Sequence, residues 1–346
     1  MIKKILPIIG LTIFFTLFSH THYITAQSTD IPPTPTLAPS KTPTTEAITA
    51  TITHTPTIFP TDTPTIDPSP NFESFTQQDL TILAGNVQRP NGIAWFDNHI
   101  YVACSGDWTL YKIQDTTGNT ETYIQGIRNA HTLYIEKIDN QPVIWVPDFE
   151  TNALIRVTSN RSSRRIATGL DAPWGITPIS NDEFLITNLL GNSISLVSRT
   201  GDVQTIVEEL RSPAGITNDF DNIYFANNGS ARRSIEWFPI ADINSDNITP
   251  SPLVTGLQNT ANLVLASDNL LYFTYSLGNR GVVGRVNPHT CLAKDGGCTN
   301  DDIQIVVLTE LSAPLAGLTI TPDMRLFIHT LYRHDIFWLD LQPNNN

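Results

Sequence analysis

One pattern recurs six times between Leu80 and the C-terminus, and it leaves few folds open. Each copy begins with a turn and a short apolar run. The first two are Arg89-Pro90-Asn91-Gly92-Ile93 and Asn129-Ala130-His131-Thr132-Leu133. Ala172-Pro173-Trp174-Gly175-Ile176, Ser212-Pro213-Ala214-Gly215-Ile216, Thr260-Ala261-Asn262-Leu263-Val264 and Pro314-Leu315-Ala316-Gly317-Leu318 continue the series. A second run follows in each copy: Ile100 to Ala103, Val143 to Val146, Phe184 to Thr187, Ile223 to Ala226, Leu271 to Thr274 and Leu326 to His329. Third runs such as Leu110 to Ile113, Leu154 to Val157 and Ile194 to Val197 come next, and fourth runs such as Val203 to Val207 and Ile303 to Val307 close the unit. Gly, Asn, Asp and Pro separate them, and no stretch holds a 3.6-residue period for ten residues.

Six units of four short strands, roughly 40–55 residues apart, predict an all-β chain folded as a six-bladed β-propeller. The last copy stops after Ile336-Phe337-Trp338-Leu339 without a fourth strand, while Leu80-Thr81-Ile82-Leu83 stands ahead of the first copy as a strand without a blade. Pairing the two closes the ring and removes the open edge. One cooperative domain over residues 79–342 is therefore expected. Two stacked β-sandwiches would need a linker near the middle, and the sequence has none there.

The residues ahead of the repeats belong to another class. Residues 1–26 read as a signal peptide: Lys3 and Lys4, an apolar run from Ile5 to Phe18, and a small-residue end at Ala26. That run is short of the roughly 20 residues that cross a bilayer, so an integral membrane protein is not expected. Residues 27–78 read as a disordered linker. More than half of positions 31–70 are Thr or Pro, and such a segment has too few large apolar groups to offset the entropy of ordering. The expected location is extracytoplasmic, secreted or at the cell surface.

With 33 Asp and Glu against 20 Lys and Arg, the chain carries a formal charge of -13, which argues against a nucleic-acid partner. Three cysteines are too few for a disulfide scaffold. Cys291 and Cys298 flank a short polar loop and are expected to form a disulfide in an exported protein. A two-cysteine metal site is the alternative, without a His or third Cys at ligand spacing. Cys104 is left single, at the end of a second strand, and reads as a small buried apolar residue. The cluster Arg161-Ser162-Ser163-Arg164-Arg165 falls between third and fourth strands and reads as a solvated loop.

The phrases Pro90-Asn91-Gly92-Ile93-Ala94-Trp95 and Ile100-Tyr101-Val102-Ala103-Cys104-Ser105-Gly106 resemble the gluconolactonase and senescence-marker family of six-bladed propellers. They also resemble the NHL-repeat and streptogramin-lyase-like propellers. The resemblance covers the blade pattern from 80 to 341 and is specific for architecture rather than activity. In the lactonase branch it implies a divalent metal such as Ca2+ at the mouth of the channel, with Asn91 at the family's Asn position. The other positions of that ring are His131, Trp174, Ala214, Asn262 or Ala261, and Ala316, with no carboxylate among them. No cofactor is therefore expected; a divalent metal, if one binds, would use Asn91 and His131.

In a propeller the loops into each first strand and between second and third strands share one face. The candidate ligand-binding residues there are Asn91, His131, Trp174 and Asn262, with Asp148, Glu150, Asn188, Asn227, Arg232, Tyr275, Asn279, Tyr332 and His334. Amides, aromatic rings and a few charges suit a small polar ligand, a carbohydrate or a protein strand. The same Asn residues are also what tight turns require, and Trp174 would equally plug the channel. His131 is open to two readings: a general base or metal ligand, or a neutral histidine satisfied within a loop. The expected function is an exported, monomeric binding module, with a metal-dependent hydrolase or lyase of the gluconolactonase or streptogramin-lyase type as the alternative. A quinone-dependent sugar dehydrogenase is a weaker third reading, since the face lacks a basic cluster for an acidic cofactor. No catalytic residue is assignable from sequence.

Overall fold

Each repeat folds into one antiparallel sheet of four strands laid side by side in chain order, in a computed structural model that describes residues 73–229, 233–331 and 333–342. Blade 1 comprises Pro90–Phe96, His99–Cys104, Thr109–Gln114 and Thr120–Gln125. Blade 2 comprises Tyr134–Ile138, Gln141–Asp148, Ala153–Val157 and Ser163–Thr168. Blade 3 is Pro173–Pro178, Glu183–Asn188, Ser193–Ser198 and Val203–Val207, and blade 4 is Pro213–Asn218, Asn222–Asn227, Ser234–Pro239 and Ser251–Val254. Blade 5 holds Leu263–Leu265, Leu271–Leu277, Arg280–Val286 and Gln304–Ser312.

Blade 6 has only three strands in sequence, Leu315–Ile320, Arg325–Thr330 and Ile336–Asp340, and the N-terminal strand Thr81–Ala84 supplies its fourth. Thr81 pairs with Trp338 and Ile82 with Phe337, antiparallel, as the sequence predicted. The expected signal peptide, residues 1–26, and most of the linker lie outside the described residues. Residues 73–78, assigned to the linker by composition, are ordered instead. Phe75–Thr76 adds a fifth strand to blade 5, parallel to Val307 and Leu308, and Gln77 accepts from the Glu310 amide. Phe75 packs against the blade 5–6 core, apolar area that offsets the entropy of extending two more residues.

Hydrogen bonds between neighbouring blades run round the ring near its axis without a break. Trp95 N donates to Thr319 Oγ1 (3.2 Å), Asn91 Nδ2 to Asn129 Oδ1, and Thr132 Oγ1 to Trp174 O (2.7 Å). Thr187 Oγ1 donates to Ala214 O (2.6 Å), Gly215 N to Ala261 O (2.9 Å), and Asn262 Nδ2 to Ala316 O. This crowding explains the recurrent glycine of the first strands. A Cβ on Gly215 would lie 2.7 Å from the Asn262 Cα, and one on Gly92 would lie 2.8 Å from the Ala130 carbonyl, both against backbone that has no room to shift.

Between blades the apolar faces of adjacent sheets interlock. Phe184 of blade 3 is fully buried against Trp145 and Tyr134 of blade 2, with ring centroids 4.8 and 5.7 Å away. The excursion between the third and fourth strands of blade 5 carries a short helix, Pro288–Leu292, N-capped by Asn287, and the expected Cys291–Cys298 disulfide. Cys298 bonds to the outer strand of blade 4 through Leu253 O and Thr255 N, so the disulfide loop covers that edge. Cys104 is buried and free, and burial pushes its thiol up.

Candidate functional site

The turns between second and third strands are built to one template in blades 1 to 3, four residues each: 105–108, 149–152 and 189–192. The last residue of each turn is left-handed: Trp108 (φ 56°), Asn152 (φ 52°) and Asn192 (φ 51°). Asn adopts this conformation readily, and both amides also stitch blades together. Asn152 Oδ1 accepts from Ala172 N (2.8 Å) and Asn192 Oδ1 from Ser212 N (2.9 Å), each in the next blade.

The residue that ends the second strand does a second repeated job. Asp148 Oδ2 accepts from Arg128 N (2.9 Å), Asn188 Oδ1 from Asp171 N (3.1 Å) and Asn227 Oδ1 from Arg211 N (2.8 Å), and all three residues are buried. Their remaining polar atoms are engaged as well. Asp148 Oδ1 accepts from Thr151 N, Asn188 Nδ2 donates to Ser193 and Ser195, and Asn227 Nδ2 donates to Glu236. These three candidate ligand-binding residues thus hold the loop backbone, a turn duty that the sequence offered as the other reading of Asn188 and Asn227.

Other candidates separate by position. Asn262 is buried, and its amide joins blade 5 to blade 6. Tyr275 packs into the blade 4–5 core against Phe273, because the second strand runs three residues past its expected end at Thr274, to Leu277. Glu150 and Asn279 are exposed. His334 bonds through Nδ1 to Val87 O (2.7 Å), tying the last blade to the segment that enters the first. Arg232 and Tyr332 lie outside the described residues.

What remains is a cluster on the axis. The Trp174 indole lies flat on the His131 imidazole, with ring centroids 3.5 Å apart and planes parallel, and Phe149 meets His131 edge-on at 5.2 Å. Trp174 Nε1 donates to Ala261 O (3.2 Å), so the indole reaches from blade 3 to blade 5. His131 and Asn91 are buried, and among the described residues His131 Nδ1 and Asn91 Oδ1 have no hydrogen-bond partner. Burial, and then the neighbouring His329, push the His131 imidazole down to about 3. Burial likewise pushes His329 down to about 4, against the opposing pull of the Thr330 and Asn91 backbone.

The histidines are therefore neutral across the physiological range, and both Asp148 oxygens serve backbone amides rather than His131. Sequence reasoning passed over His329. The signal was there: at the fourth position of the second run its counterparts are Ala103, Val146, Thr187, Ala226 and Thr274. The His329 ring fills the space left by Gly317, where a Cβ would lie 2.0 Å from Nε2.

The donor set does not fit a hard divalent cation. Such ions take several oxygens, preferably anionic, whereas the ring offers Asn91, His131, Trp174, Ala214, Asn262 and Ala316. Among the described residues no group of three or more His, Cys, Asp or Glu is placed to hold a metal. The rim outside the axis is open. Trp108 and Leu190, from the second-to-third turns of blades 1 and 3, and Leu277, at the end of the second strand of blade 5, are 47%, 63% and 51% exposed, and the Arg128 guanidinium sits 4.6 Å from the Trp108 ring centre. A polar cleft of about 410 Å³ opens at blade 3, lined by Asp171, Asn188, Ser193, Ser195 and Glu209 among others. None of the described helices is long and apolar enough to cross a membrane.

No protein-family model and no curated protein matches the sequence. Among solved structures the chain is similar to a streptogramin B lyase, at 16% identity over 75% of this chain and 96% of that one, with a TM-score of 0.55. It is similar to a gluconolactonase from Xanthomonas campestris, at 13% identity over 75% of this chain and 89% of that one, with a TM-score of 0.56. A chain from a nidogen/laminin complex matches at 18% identity over 64% of this chain and 85% of that one, with a TM-score of 0.50. At these identities the likeness is one of fold: the protein is a six-bladed β-propeller with lactonase- and lyase-type structural neighbours.

Proposed function

We propose that the protein is an exported binding module that takes a carbohydrate or protein partner on its loop-rich face. The observation that carries this reading is the division of labour on that face. Asp148 is locked into backbone support and His131 into an aromatic stack, while Trp108, Leu190 and Leu277 stand exposed. Exposed large apolar groups on a polar rim are what a binding surface presents. The N-terminal apolar run and the disulfide support export. That one structural neighbour comes from a complex between two proteins is consistent with a propeller used for docking.

The test is retention of the full chain on immobilised glycans and secreted proteins, compared with a Trp108→Ala, Leu190→Ser, Leu277→Ser variant. The variant is expected to fold and to lose retention at least tenfold. The competing reading, a metal-dependent hydrolase or lyase using Asn91 and His131, is checked by calorimetric titration of Ca2+, Mg2+ and Zn2+. A micromolar site abolished by Asn91→Ala or His131→Ala, or lactone hydrolysis above a metal-only blank, would replace the binding-module reading with the enzyme.

A further inference from the structure

The arginine cluster that sequence reading set aside as a solvated loop is divided by the fold between two faces of blade 2. Ser163–Thr168 is the outer strand, and its register places Arg164 directly across from Arg156, which in turn pairs with Trp145. Residues opposite one another on neighbouring antiparallel strands project from the same side of the sheet. Arg164, Arg156 and Trp145 therefore line one row, on the side that packs against blade 3. Arg161 belongs to the other side, where it pairs with Glu121 of blade 1 and lies 5.7 Å from the Tyr123 ring centre.

A third guanidinium joins the row from blade 3. Arg199 reaches over the seam, its Cζ 5.2 Å from the Trp145 ring centre, while Arg156 Cζ lies 5.8 Å from the same ring. One carboxylate serves this group: Glu136 accepts from Trp145 Nε1 (2.7 Å) and pairs with Arg199. Among the described residues neither Arg156 nor Arg164 has an ion pair, and the Nε atoms of Arg156 and Arg199 are buried without a hydrogen-bond partner. Like charges facing each other across a strand pair are destabilising, and buried donors without acceptors are costly. A chain with 33 acidic residues has ample carboxylates, yet this row ends with three guanidinium charges against one.

We infer that the seam between blades 2 and 3 is an oxyanion-binding site, in which Arg156 and Arg164 hold a sulfate or phosphate dianion, free or as a monoester, on a platform formed by Trp145. The two uncompensated charges match a dianion, and planar guanidinium forks fit tetrahedral oxyanions with two parallel bonds. The Arg156 guanidinium lies over the Trp145 ring, its Cζ 5.8 Å from the ring centre, a cation–π contact that reduces the side-chain freedom to be lost on binding. The site is distinct from the loop-rich face and does not depend on the function proposed for it.

Thermal unfolding and calorimetry of the full chain with sodium sulfate, sodium phosphate and galactose 6-sulfate, at ionic strength matched with sodium chloride, test the inference. Expected is saturable binding with a rise in Tm. Arg164→Gln, an exposed substitution, is expected to weaken affinity about tenfold or more by removing charged hydrogen bonds. Arg156→Lys, which keeps the charge and loses the fork, is expected to weaken it as well. Sulfate also stabilises proteins by exclusion from their surfaces, but that effect is unsaturable and survives Arg164→Gln. Binding of the free ions alone identifies a free anion as occupant, and binding of the monoester identifies a sulfated or phosphorylated molecule. A shift no larger than that of chloride for all three probes, or one unchanged in Arg164→Gln, overturns the inference.

Discussion

Trp174 and His131 stack face to face across the seam between blades 3 and 2, ring centroids 3.5 Å apart, and the indole N–H continues the contact to the Ala261 carbonyl of blade 5. Three blades thus meet through one side chain on the axis. Trp174→Ala removes the stack and the hydrogen bond and is expected to cost about 3 kcal/mol or more. Trp174→Phe keeps an aromatic face and loses the N–H, at about 1 kcal/mol. Denaturant unfolding of the two variants measures both; equal losses would mean the ring contact contributes little.

Both axial histidines make the fold acid-labile. Their folded values, about 3 for His131 and about 4 for His329, lie below the ordinary imidazole value, so the neutral forms belong to the folded state. Stability from this source is complete above pH 6.5. As pH falls below 6.5 the unfolded chain takes up protons that the folded chain refuses. Between pH 6 and 4 the two groups together lower stability by about 2–3 kcal/mol per pH unit. His131→Phe, which retains a ring against Trp174, is expected to halve that slope in unfolding experiments; an unchanged slope would remove His131 from the account.

Asp148 is expected to behave as a structural residue. Its two oxygens accept from the Arg128 and Thr151 amides inside the protein. Asp148→Ala strands both donors and is expected to destabilise by about 2–4 kcal/mol. A loss of ligand binding without any change in unfolding midpoint would instead place Asp148 at a binding surface.

Ring closure rests on the pairing of Thr81 and Ile82 with Trp338 and Phe337. Deleting residues 79–84 exposes the third strand of blade 6 and detaches the preceding strand, Phe75–Thr76, from the chain that positions it. A broad transition at a much lower Tm is expected in calorimetry. A truncated protein that melts as sharply and at the same temperature would show that closure contributes nothing.

The number of blades and their strand order were legible in the sequence, because each depends on contiguous residues, and the strand that completes the ring was legible as an unpartnered apolar run at one end matching a blade one strand short at the other. Alternating apolar runs, turn formers and a leftover strand at each end encode them locally. The blade 5 edge was not legible, since Phe75 and Thr76 sit in a Thr- and Pro-rich context and are ordered by Val307 and Leu308, more than two hundred positions away. The roles of Asp148, Asn188 and Asn227 were ambiguous for a related reason. Acidic and amide side chains suit a ligand and a turn equally, and only the direction of the Arg128, Asp171 and Arg211 amides decides between them. His131 and Arg156 show the same limit. The sequence by itself determined a ring of six sheets. Tertiary structure alone decided which imidazole is held neutral and which arginines, among the described residues, stand without a carboxylate, because the charge state of a side chain follows from burial and from neighbours contributed by other strands and other blades.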